Sequence, residues 1–100
     1  MHEILKNSLS EVHDLCREYH VESMFAFGSV CTDRFTSTSD IDLLVSFVPM
    51  DYGDYADSYF DLAEKLENVF NRRVDLVTEK SLSNPYFIRS LEKTKTRIYG

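Results

Sequence analysis

Positive charge is scarce in this chain. Of its 100 residues only 11 are Lys or Arg, against 17 Asp or Glu, for a formal net charge of −6. Sequence-independent nucleic-acid binding runs on phosphate neutralisation by a basic surface, so this composition excludes it, and an anionic membrane surface is excluded for the same reason. Glycine and proline are also rare, with 3 and 2 copies, and tryptophan is absent. No linker, repeat or low-complexity tract is therefore expected. Two cysteines, Cys16 and Cys31, cannot build a disulfide framework and form no CxxC pair. The longest apolar stretch, Ile41 to Met50, is broken by Asp42, Ser46 and Pro49. It falls far short of the ~20 residues a membrane span needs. The opening Met1-His2-Glu3-Ile4-Leu5-Lys6 lacks the basic-then-apolar order of a signal peptide, and the reducing cytoplasm is the expected compartment.

What is present is ordinary for a globular fold: 43% apolar residues, including 7 Phe and 6 Tyr. The length predicts a single domain over residues 1–100 with a modest core. Ile4, Leu5, Leu9, Val12, Leu15, Cys16 and Tyr19 fall on one arc of a helix spanning 3–20. Met24-Phe25-Ala26-Phe27 reads as a buried strand ended by Gly28. Ile41 to Val48 is the strongest strand signal, with Asp42, Leu44 and Ser46 on one face and Ile41, Leu43, Val45 and Phe47 on the other. Helical spacing returns over 54–70, where Tyr55, Tyr59, Leu62, Leu66, Val69 and Phe70 form the apolar stripe. Arg73 to Val77 is a third strand, and Asn84-Pro85 caps a last helix reaching about Lys93. The predicted class is α/β (α+β), a small mixed sheet packed with helices.

The chemistry concentrates in Phe27-Gly28-Ser29, ten further residues, and then Asp40-Ile41-Asp42. Gly28 ends a strand where a residue without Cβ lets the backbone approach a ligand. A helical turn begun over Ser29 to Arg34 would offer free amides to an anion, and the Ser29 hydroxyl adds a donor. Asp40 and Asp42, two apart in a strand, are expected to share one face. Adjacent carboxylates repel unless a cation sits between them, and Mg²⁺ suits oxygen ligands, waters and phosphate oxygens. Asp75 is the natural third carboxylate if its strand lies beside Ile41–Phe47, with Val74 and Leu76 buried. Two metals so held would activate a hydroxyl nucleophile and stabilise a leaving pyrophosphate.

This pattern resembles the nucleotidyltransferase superfamily that includes DNA polymerase β and kanamycin nucleotidyltransferase. It is most similar to the minimal nucleotidyltransferases, whose Gly-Ser, ten residues, Asp-x-Asp signature is met by Gly28, Ser29, Asp40 and Asp42. Ser39 matches the serine common before the first aspartate, and Asp75 the later strand aspartate. The resemblance implies the polymerase β palm-like fold and two Mg²⁺ bound by Asp40, Asp42 and Asp75. It also implies ATP held by Gly28, Ser29 and Ser39. Many members carry Arg-Gly where this chain has Thr32 and Asp33, and Arg34 is the candidate to reach the phosphates instead. Minimal nucleotidyltransferases often pair with HEPN-domain ribonuclease toxins and act as antitoxins, transferring AMP to a toxin tyrosine. The resemblance thus implies a HEPN toxin as partner. The short chain, without room for an acceptor-holding second domain, agrees with that expectation.

Other readings stand beside this one. An antitoxin that occludes its toxin with an idle active site is motivated by Thr32 and Asp33, and an aminoglycoside-like acceptor is a further alternative. Three candidate ligands, His13, Cys16 and His20, lie near one side of the first helix, but no fourth is evident and simple packing is preferred. Asp57, Asp61 and Glu64 read as a solvated face, except that Phe60 lies among them and would suit a partner interface.

Overall fold

In the computed structural model, which describes residues 2–100, the chain runs in this order. First come α1 (Glu3–Glu18), β1 (Val21–Phe27) and β2 (Ile41–Phe47). They are followed by α2 (Tyr52–Phe70), β3 (Val74–Thr78), α3 (Pro85–Thr94) and β4 (Thr96–Tyr99). Short 3₁₀ turns occupy Gly28–Cys31 and Glu79–Ser81. The mixed α/β class is as expected, with element ends shifted by a few residues. Helix α1 stops at Glu18 because His20 turns at a positive φ of 59°, and β1 begins at Val21, three residues before the expected Met24. Asn84 caps α3 as read from the sequence, its side chain accepting the N–H groups of Tyr86 and Phe87, with Pro85 at the first helical position.

The sheet order is β3-β2-β1-β4. Strand β1 is antiparallel to β2 and β4, whereas β3 is parallel to β2, with α2 as the crossover between them. Strand β4 was not expected from the sequence. It is four residues long with only Ile98 buried, too short to show alternation, and pairing with β1 is what makes it a strand.

Register divides the side chains between two unequal layers. Ile41, Leu43, Val45 and Phe47 join Met24 and Ala26 on one face. There they pack with Leu5, Val12 and Cys16 of α1 and Leu62, Leu66 and Phe70 of α2. The other face carries only a small apolar group, Phe27, Leu44 and Leu91, covered by α3. Cys16 is wholly buried, and burial pushes its thiol up to about 12, so it packs as an apolar side chain. His13 instead donates its Nε2–H to the Ile98 carbonyl (2.6 Å), and His20 is exposed.

Helix side chains also cap the sheet edges. On β3, Glu67 accepts the Val74 N–H (3.0 Å), and the Tyr59 hydroxyl donates to the Leu76 carbonyl. Arg72, just past α2, donates to the Thr36 and Ser39 carbonyls (3.1 and 2.9 Å) and lies over the Phe35 ring (4.6 Å).

Leu62 is fully buried between α2 and the sheet. Leu62→Ala should cost about 2–5 kcal/mol through lost burial and the residual cavity, read as a lowered urea midpoint at unchanged slope.

Candidate active site

Antiparallel pairing brings the end of β1 to the start of β2, and the parallel β3 begins beside that same point. Phe27 faces Asp42 across one ladder, and Asp42 faces Asp75 across the other. Cross-strand partners project to the same side of a sheet, so both carboxylates stand on the thinly covered α3 face. Val74 and Leu76 are buried on either side of the exposed Asp75, as expected from the sequence. Asp40 departs from expectation: the ladder starts at Ile41, whose N–H donates to the Arg73 carbonyl (3.1 Å), and Asp40 sits in the exposed loop just before it.

Gly28 occupies the hinge of this arrangement. Its φ is +75°, a region where a Cβ is strained, and a Cβ there would overlap Asp42 Oδ2 and stand 3.3 Å from its Cγ. The Asp42 carboxylate thus fills the space that any other residue's side chain would need. The turn that follows is one 3₁₀ turn over Gly28–Cys31, closed by Thr32 N–H on the Ser29 carbonyl (2.9 Å). It does not continue toward Arg34 as the sequence suggested, because Thr32 has already returned to extended backbone. The Gly28 N–H donates to Thr94 Oγ1 (3.0 Å) at the end of α3.

Burial and the crowding of like charges show in the protonation of Asp42. Burial, then Asp75 and Asp40, push its carboxyl up from 3.8 to about 6. Tyr59, around the β3 edge, has its phenol raised by burial and by the same Asp75. Among the described residues no three acidic, histidine or cysteine side chains are gathered as a ready-made metal set. The register and the mutual electrostatics nonetheless place Asp40, Asp42 and Asp75 in one region, with Asp42 central. That donor set suits a hard divalent cation sharing phosphate and water oxygens rather than an all-protein cage. A cavity of about 510 Å³ lies elsewhere, at the opposite end of the sheet, lined by Glu18, Tyr19, Met50 and Asp61 among others. The carboxylate end holds the converging polar chemistry, and we place the candidate site there.

The family model for the nucleotidyltransferase domain matches residues 9–98. The chain belongs to the nucleotidyltransferase family. A Methanocaldococcus jannaschii protein named "Putative protein adenylyltransferase MJ1379" is 36% identical to this nucleotidyltransferase over 94 residues, 86% of this chain and 93% of the relative. The solved "Structure of putative minimal nucleotidyltransferase" is 29% identical, with a TM-score of 0.75 over 96% of this chain and 95% of that one. A chain of the "tri-AMPylated Shewanella oneidensis HEPN toxin in complex with MNT antitoxin" shares the fold, with a TM-score of 0.65 at 21% identity. That likeness covers 95% of this chain and 71% of that one.

Within the nucleotidyltransferase, the signature residues do not all converge. Gly28, Ser29, Asp42 and Asp75 meet at the strand ends, and Asp40 borders them. Ser39 belongs to a hydroxyl network in the exposed loop, its Oγ accepting the Thr36 N–H (3.1 Å) and lying 3.1 Å from the Thr36 hydroxyl. Arg34 is exposed in that loop, its backbone N–H donating to Thr32 Oγ1 (3.2 Å). Arg72 and Thr94 escaped sequence reasoning. Arg72 braces the loop that delivers Asp40, and Thr94 binds the Gly28 amide from 66 residues away. No local pattern marks either, since each acts on backbone distant in sequence.

Gly28→Ala should cost at least about 1–2 kcal/mol for the positive φ and should displace Asp42, seen as lowered denaturation stability with loss of nucleotide binding. For Asp42, the folded carboxyl titrates at about 6 against an ordinary 3.8. The folded chain therefore holds a proton that the unfolded chain has released, and without divalent cations stability should fall as pH rises through this window. Asp42→Asn should flatten that dependence and raise stability at pH 7 by on the order of 1 kcal/mol, allowing for solvent screening, as measured by urea titration across pH.

Proposed function

We propose that this nucleotidyltransferase moves AMP from ATP onto a tyrosine hydroxyl of a HEPN-type partner, acting as its antitoxin in an Mg²⁺-dependent reaction. The observation that carries the reading is the Asp42–Asp75 pair, set side by side across β2 and β3 against a glycine turn that admits no side chain. A catalytic unit over residues 1–100 is part of this proposal, with the acceptor supplied by the partner.

The Gly28–Ser29 turn would receive the triphosphate, with Ser39 and Arg34 bordering its outer side. Asp40, Asp42 and Asp75 would hold Mg²⁺, which when bound offsets carboxylate repulsion and charge on the phosphates. Asp75, exposed at the strand start, would take the acceptor's proton as the acceptor oxygen bonds the α-phosphorus and pyrophosphate leaves. The protein-adenylyltransferase name of a 36%-identical relative and the HEPN complex sharing this fold support the acceptor class. So does the outer side of α2, where Phe60 is 69% exposed, three residues after the exposed Asp57 and four before the exposed Glu64. Such an aromatic surface with an acidic border suits a protein partner carrying basic residues.

The test is to incubate the protein, ATP and Mg²⁺ with the product of the neighbouring reading frame and to weigh that product. A mass gain in whole AMP units that Asp42→Asn abolishes is expected. No gain with wild type would refute transfer. Thr32 and Asp33, in place of a family Arg-Gly, favour a second reading in which the chain neutralises its partner by occlusion. Equal neutralisation by wild type and by the Asp40→Asn/Asp42→Asn double variant would establish that alternative.

A further inference from the structure

The Gly28 turn is held from behind by a residue that no motif contains. Gly28 N–H donates to Thr94 Oγ1 at 3.0 Å, joining the end of β1 to the end of α3. Glycine is the softest backbone in the chain, so a glycine at φ +75° keeps that conformation only where neighbours restrain it. On its front side Gly28 meets the Asp42 carboxylate, and on its far side one hydrogen bond, Thr32 N–H to the Ser29 carbonyl, closes the 3₁₀ turn. The turn is also anchored by Val30, 1% exposed in the main core, and the Thr94 hydroxyl adds the restraint that acts on the Gly28 amide itself.

Thr94 is itself rigidly presented. Three residues before it, Leu91 is 3% exposed in the small core with Phe27 and Leu44, which fixes the α3 face toward the strands. The Leu91 carbonyl accepts the Lys95 N–H (2.9 Å), and the Thr94 carbonyl accepts the Thr96 hydroxyl (3.3 Å) where β4 begins. Thr94 therefore sits at the joint of two anchored elements, and its β-branched side chain has few rotamers to choose from.

We propose that Thr94 is a positioning residue of the nucleotide site: its hydroxyl locks the Gly28 turn in the geometry that receives the triphosphate. The inference rests on the reading of the Gly28–Ser29 turn as the phosphate site. It has a chemical corollary. The Gly28 amide is already engaged, so the phosphates meet the amides that follow it, and Thr94 keeps its bond when ATP binds. Thr94 touches neither substrate nor metal; it sets affinity through the turn.

The experiment compares wild type, Thr94→Val, which keeps the shape but removes the acceptor, and Thr94→Ser, which restores it. ATP with Mg²⁺ is titrated calorimetrically, KM and kcat are measured, and Gly28 amide exchange is followed by NMR. Loss of one hydrogen bond should weaken ATP binding and raise KM about five- to tenfold in Thr94→Val. In the same variant kcat should stay within about twofold, a split that general destabilisation would not give. Thr94→Ser should return affinity to within about twofold of wild type, the bond being restored. The Gly28 amide should exchange slowly in wild type with and without ATP, and faster in Thr94→Val. Unchanged affinity in Thr94→Val, or Thr94→Ser behaving like Thr94→Val, would overturn the proposal. If Thr94→Val does not fold, loss of Gly28 amide protection in wild type on adding ATP overturns it. Persistent protection, together with wild-type affinity in Thr94→Ser, upholds it. Wild type that binds no ATP would instead remove the phosphate-site reading on which the proposal stands, a result distinct from either.

Discussion

The packing of one carboxylate against one glycine governs this molecule. Asp42 projects into the volume that a side chain at Gly28 would fill, and the ladder partner of Asp42 on its other side is Asp75. Burying an acid and setting it beside another on a neighbouring strand are both unfavourable. The upward displacement of the Asp42 carboxyl registers burial first and then its charged neighbours Asp75 and Asp40. The strand register cannot relax it, because a slip by one residue would turn Ile41, Leu43 and Val45 out of the core. Apolar burial on one face thus holds an electrostatically strained pair on the other. Folding energy and site chemistry are coupled through the pleat of β2.

The unequal cover of the sheet serves the same end. Two helices and most of the apolar residues occupy one side, and a ten-residue helix with a three-residue buried group occupies the other. The thin side leaves the carboxylates open to a substrate as large as a nucleotide while the thick side supplies stability. Helix α3 gives both a small core through Leu91 and a polar contact through Thr94.

Much of this was legible from sequence, for identifiable reasons. Alternation in Ile41–Phe47 gave both the strand and the face on which Asp42 stands, and the Asn84-Pro85 pair marked a helix start because capping is a local interaction. Asp75 was legible as a candidate, but its pairing with Asp42 depended on parallel strand order, which no local pattern encodes. Strand β4 stayed invisible because only one of its residues is buried. Asp40 lies one position outside the ladder, since the end of a hydrogen-bonded ladder depends on the partner strand, here the Arg73 carbonyl. Arg72 and Thr94 act on the backbone of remote segments, and the pairing of a side chain with a distant main-chain group leaves no spacing to read.

The caps on the sheet edges bear on how the molecule meets others. A bare outer strand invites another chain to continue the sheet, by main-chain bonding that is indifferent to sequence. Here the Val74 amide is taken by Glu67 and the Leu76 carbonyl by Tyr59, while His13 occupies the Ile98 carbonyl of β4. With these groups already spent, templated stacking of copies is discouraged, and recognition falls to side chains, where charge and shape can tell one partner from another.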